Sequence, residues 1–198
     1  MVDMTAVGRW AALFTAGAVI WATAACSGSA DHSATSRPTT AAPDVTAVAT
    51  DAYVFGFPLV LMDATRATGA PANHFAHARN LPDPSNRTVV RLNQDTLYSQ
   101  AWLDLSAEPM VLQVPAMPDN RFWMMPALDA WTNVTHNPSS VRPQVAGGAA
   151  TGPFTYLFTG PNWHGTVPDG MTPLPMPTDL ARILGRMEVH GQDDLPAV

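Results

Sequence analysis

The sequence predicts a mainly β domain with flanking helices (α+β), built as an antiparallel β-sandwich or jelly-roll-like sheet. Three observations point there. From Thr88 onward, short apolar segments of strand length recur at near-regular spacing with turn residues between them. The chain holds 19 prolines, each of which removes a backbone donor and fixes φ, so a helical bundle is disfavoured and loops and edge strands are favoured. No internal repeat and no alternation of strand with helix is visible.

The elements follow in order. Residues 1–25 read as a signal peptide. Arg9 precedes "WAALFTAGAVIWATAA", Trp10 to Ala25, an uncharged apolar run shorter than the roughly 20 residues of a membrane span. Small residues then lead to Cys26, the only cysteine in the chain. The arrangement resembles a bacterial lipobox, whose cysteine takes a diacylglyceryl group. The partner it implies is the membrane, on its extracytoplasmic side, and two or more acyl chains give stable anchoring. Cleavage after Ala24 instead predicts a soluble secreted protein. Residues 26–44, rich in Ser, Thr, Ala and Pro, bury too little apolar area to fold and read as a tether.

Residues 45–198 form the folded domain. "TAVATDAYVFGFPLVLMDATRA" reads as a helix, with Val48, Ala52, Phe55, Leu59 and Met62 at spacings of three and four, Asp44 or Thr46 as cap, and Pro58 expected to kink or split it. "TGAPANHFAHARNLPDPSNR" is irregular. "VVRL" reads as a short strand, "NQDT" as a turn, and "LYSQAWLDL" as a strand covered on both faces. "PMVLQVP" and "RFWMMPAL" read as strands joined through "AMPDN" as a hairpin. "AWTNVT" and "FTYLFTG" follow as strands, with "VRPQVAGGAATGP" as a loop. "TPLPM" is extended, Thr178 caps a short helix "DLARILGR", and "MEVH" is a last strand.

Composition narrows the function. Charged residues make up 13% of the chain and the net charge is −6. The basic residues are ten arginines with no lysine, which removes Schiff-base chemistry and a phosphate-loop lysine and predicts no nucleic-acid partner. One cysteine excludes an internal disulfide. No G-x-S-x-G, G-x-G-x-x-G or P-loop pattern occurs.

Four groups of residues remain as candidates. His74 and His77 are three apart and would share a face on a helical turn, as weak metal ligands with His136 or Asp95 as a third; on a strand they would diverge. "RLNQDTLYSQAW" gathers Arg91, Asn93, Asp95, Thr96, Tyr98 and Trp102, placing a carboxylate near a phenol with an arginine to hold an anion. Asx turns and ion pairs gather the same residue types. "LDAWTNVTHNP" brings Asp129, Trp131, Asn133 and His136 together as a possible pocket lining or as a tryptophan filling the core. "GPNWHG" offers Trp163 and His164 in the same two roles. The catalytic candidates are Asp95, Tyr98 and His77; the ligand-binding candidates are Arg91, Asn93, Trp102, Asp129 and Trp131. The cofactor is left unknown by the sequence.

Taken together, "DAYVFGFPLVLMDATR", "HFAHARNLPDPSNRTVVRLNQDTLYSQAWLDLS", "RFWMMPALDAWTNV", "GPNWHG" and "LGRMEVHGQDDLPAV" resemble the family called domain of unknown function 1254, over about Thr46 to Val198. The resemblance implies a largely β fold, an exported or envelope location and no established reaction. It also implies a second β-rich domain, number 1214, after "DDLPAV", so a separate partner domain is expected to supply that half. The reading is an exported cell-envelope lipoprotein acting as a small-molecule or protein binding module. The alternatives are a metal-assisted hydrolase or oxidoreductase using His74, His77 and Asp95, and a truncated family member.

Overall fold

The computed structural model describes residues 44–198 except 84, 88–89, 118 and 149–150. The leader, Cys26 and all of the tether but its last residue, Asp44, lie outside the described residues. Helix α1 spans Val45–Arg66, and the Asp44 carboxylate caps it by accepting from the Thr46 N–H at 2.9 Å. Pro58 sits inside it without splitting it, since only one intrahelical bond is lost. Met62, 3% exposed, is the one buried residue of α1, while Tyr53, Val54, Phe55 and Val60 stand at least 65% exposed. By length and composition α1 is apolar enough to cross a membrane.

Two sheets follow. The larger one runs in the order β1 (Phe75–His77), β2 (Thr96–Asp104), β9 (Leu180–Glu188), β5 (Ala127–Leu128), β6 (Val134–His136), with β4 (Trp123–Met124) also paired to β9. The smaller one is β3 (Met110–Val114), β7 (Phe154–Thr159) and β8 (Thr172–Pro175). Their facing side chains form one core: Ala101 and Leu103 of β2, Ala181 and Ile183 of β9, Leu112 and Val114 of β3, Tyr156 and Phe158 of β7. The domain is therefore mainly β, sandwich-like and open rather than a closed barrel.

Several expected elements differ. "DLARILGR" is not a helix but most of β9, the central strand of the larger sheet. Its burial alternates strictly from Leu180 to Arg186, a period of two that a short apolar run does not separate from a helical one. Thr178 caps nothing; its hydroxyl donates to the Leu180 carbonyl and accepts from the Ala130 N–H. "AMPDN" is not a hairpin, because β3 and β4 lie in different sheets and this segment crosses between them. Among its described residues "VVRL" forms no strand, and Val90 is 90% exposed. "RFWMMPAL" keeps a single register against β9, Trp123 opposite Met187 and Leu128 opposite Arg182, but breaks at Met125 and Pro126 where the proline offers no donor. The β7–β8 pair is parallel, unlike the others.

Candidate functional site

A cleft of about 890 Å³ has walls from both sheets. Phe75 and His77 of β1, Leu97 and Ser99 of β2, and Leu112 and Gln113 of β3 contribute, with Met125 and Met187 beyond. The 3-10 turn Gln192–Ala197 closes one side through Gln192, Leu195 and Pro196.

Strand register builds the polar part of this cleft. His77 lies directly opposite Ser99, and Ser99 lies directly opposite Gly185. Directly opposed residues share a face, with Cβ atoms about 4.5–5.5 Å apart. The His77 Nδ1 and Ser99 Oγ are 2.8 Å apart in a hydrogen bond. Phe75, two residues before His77 on the same face, stacks on the imidazole with centroids 5.4 Å apart and planes at 18°. On the other side of Ser99 the glycine leaves room for Met125, whose Sδ would stand 2.6 Å from a Cβ at position 185.

The turn that closes the cleft is latched to the sheet. The Arg121 guanidinium, 6% exposed, pairs with both oxygens of Asp194 and donates to the Glu188 carbonyl at 2.8 Å. The His190 N–H donates to Asp194 Oδ2 at 2.7 Å. Hydrogen bonds from Arg121, then from His190, hold the Asp194 carboxyl far below the usual carboxylate range. Glu188 is also lowered, chiefly because its carboxylate accepts from the Phe122 N–H at 2.9 Å. A smaller cavity of about 190 Å³ is lined by Arg121, Trp123 and Ser140, but there the arginine is already engaged.

Of the expected site residues, His77 alone lines the cleft. His74 is exposed and turned onto the Ala72 carbonyl at 2.8 Å. Asp95 stands at the turn before β2, four residues from Ser99, roughly 13 Å along an extended strand. His136 bonds the Pro175 carbonyl at 2.8 Å. The proposed His74, His77 and Asp95 grouping is thus not assembled, and among the described residues no cluster of three or more His, Cys, Asp or Glu is placed to hold a metal ion.

The ligand-binding candidates Arg91, Asn93, Trp102, Asp129 and Trp131 lie outside the cleft lining. Asn93 organises its turn, accepting from the Asp95 and Thr96 N–H groups at 2.9 and 3.2 Å. Asp129, 5% exposed, accepts from the N–H groups of Trp131 and Asn133 and from the Asn133 amide, all at 2.9 Å. Arg91 is exposed, with φ +54°, on a separate shallow concavity with Asp83 and Arg87. Tyr98 and Trp102 point to the sheet face away from the core, where Arg186 lies 5.1 Å over the first ring and Arg182 4.8 Å over the second. The Nε atoms of both arginines are buried with no described partner, and burial lowers the Arg182 guanidinium from its ordinary value. Trp131 packs 5.7 Å from Phe55 of α1, its indole N–H buried and without a described partner. Trp163 and His164 do not line the cleft. Ser99 was not singled out from sequence, because a serine inside a strand gains significance only once the residue opposite it is known.

The model of the family "Protein of unknown function (DUF1254)" matches residues 72–198. The chain belongs to that family. Among curated proteins none matches it. The crystal structure of the VPA0106 protein from Vibrio parahaemolyticus is similar to this DUF1254 chain at 25% identity and a TM-score of 0.60, over 77% of this chain and 35% of that one. The DUF1254 chain thus spans about a third of that solved relative's length. Both the cleft and the latch lie inside the matched residues.

Proposed function

We propose that this chain is an exported, lipid-anchored envelope protein whose β domain binds a small amphipathic molecule in the cleft between its sheets. One observation carries the reading: the cleft joins an apolar wall, Leu97, Leu112, Met125 and Met187, to a polar rim holding His77, Ser99 and Gln113. Among the described lining residues Arg79 alone has a side chain with a permanent charge, which favours an uncharged or anionic head group. The leader and Cys26 support the location.

Binding of 1-anilinonaphthalene-8-sulfonate, an apolar body with one anionic end, tests it by fluorescence. The expected result is saturable single-site binding, weakened by Leu195→Glu, which brings a carboxylate into the apolar wall, and by Arg79→Glu. Near-UV circular dichroism must stay unchanged, since loosely packed states also bind this dye. Binding indifferent to both substitutions overturns the reading.

A second reading, a polypeptide partner on α1, is supported by the exposed Tyr53, Val54, Phe55 and Val60. A chain that stays monodisperse and soluble at high concentration in light scattering argues against it.

A further inference from the structure

We propose that Ser99 and His77 form a nucleophile–base pair that hydrolyses small apolar carboxylic esters in the cleft. The inference rests on the reading of the cleft as a ligand site and assigns it a reaction. The Ser99 hydroxyl donates to His77 Nδ1 across 2.8 Å when the imidazole proton resides on Nε2, the tautomer a general base requires. Both side chains face the cleft, so a bound molecule meets the hydroxyl directly. The Phe75 ring, stacked at 18°, fixes the imidazole plane, the orienting task that a carboxylate performs in a three-residue arrangement. Asn80 lines the same cleft and carries an amide donor for the negative oxygen that develops. The apolar wall, with Leu112 and Met187, selects an acyl chain rather than a charged acid.

The chemistry balances. Ser99 Oγ bonds to the ester carbonyl carbon while its proton passes to Nδ1 of His77. The tetrahedral intermediate expels the alcohol oxygen, which leaves with that proton, and an acyl ester remains on Ser99. Water then attacks the same carbon and gives its proton to Nδ1. The Ser99–acyl bond breaks, Oγ recovers the proton, and a carboxylic acid departs. Ester and water are consumed, acid and alcohol are formed, and no oxidant or metal enters.

The test uses the full chain with p-nitrophenyl butyrate and a fluorophosphonate probe, with the adduct located by mass spectrometry. The expected result is phosphonylation at Ser99 and ester turnover, both absent in Ser99→Ala. His77→Gln keeps a side chain able to hydrogen-bond Ser99 and pin β1, yet removes the base, so turnover should fall by at least about 100-fold. Near-UV circular dichroism should match the unsubstituted protein in both variants, which shows that the fold is retained. Dye binding without adduct or turnover in the unsubstituted protein overturns the reaction and leaves the binding site standing, as does turnover unchanged in His77→Gln. Loss of dye binding together with turnover in the unsubstituted protein overturns both readings.

Discussion

Asp129 shows why the polar residues that look functional in the sequence are not those at the cleft. Its carboxylate accepts three hydrogen bonds from within the four residues that follow, while its own N–H and carbonyl pair with Asn133 and Thr132. Removing it leaves buried N–H groups without an acceptor. Asp129→Ala should therefore cost about 2–4 kcal/mol in urea unfolding and leave dye binding in the cleft intact. A neutral effect on stability would show that water replaces the carboxylate. Asn93 plays the same part at the turn into β2, where the sequence already reads "NQDT" as a turn and Asx turns as one source of its polar cluster; for Asp129 the sequence offers only a pocket lining or a core tryptophan beside it. Ser99 and His77, separated by 22 positions, meet only through strand register, which no spacing rule reveals. At Cys26 the reverse holds, and the motif alone makes the prediction. Cys26→Ser should abolish incorporation of an alkyne-tagged fatty acid in cells, and persistent labelling would sink the lipid anchor.

At the scale of elements, the sequence made β2, β3, β7 and the long first helix readable because each is an apolar run of strand or helix length bounded by turn residues. It hid β9, since Leu180, Ala181, Ile183 and Leu184 satisfy helical spacing equally well and only pairing on both sides selects the strand. As β9 holds the larger sheet together, its core face should be sensitive. Ile183→Ala should cost about 2–5 kcal/mol through the cavity it leaves. Gly185→Ala acts by the opposite route, because a Cβ there falls 2.8 Å from the Ser99 carbonyl and 2.6 Å from Met125 Sδ. It should cost about 1–3 kcal/mol and displace the Ser99 side of the cleft. Helix α1 answers differently. Val54→Gln with Val60→Gln, both at exposed positions, should leave the thermal midpoint within a degree or two and reduce binding to detergent micelles. A large loss of stability would mean that those side chains are buried in solution.

For the molecule as a whole, the ionisable groups bracket a stable range of pH. Asp83, Asp104, Glu188 and Asp194 all have folded values below their ordinary ones of 3.8 and 4.5, because hydrogen bonds favour the charged carboxylates. A lowered folded value gives stability that is complete above the unfolded value and vanishes as pH falls toward the folded one. Burial pushes the Tyr156 phenol, which donates to the Pro143 carbonyl at 2.7 Å, from 10.0 up to about 12. A raised phenol value gives stability that is complete below 10 and is lost as pH rises through about 12. The thermal midpoint should therefore be flat from about pH 5 to 9 and fall on both sides. The acid limb belongs mostly to the latch, since Asp194 is shifted furthest. Arg121→Gln removes the partner that holds Asp194 charged, so the acid limb should flatten, and an unchanged limb would assign it elsewhere. The same substitution frees the turn Gln192–Ala197 from the sheet and so removes one wall of the cleft. Dye binding at neutral pH should then fall while near-UV circular dichroism of the core, which holds Tyr156, Phe158 and Trp123, persists. That separation is the sharpest consequence of a site built across two sheets and a latched turn: the cleft can be lost while the sandwich still stands.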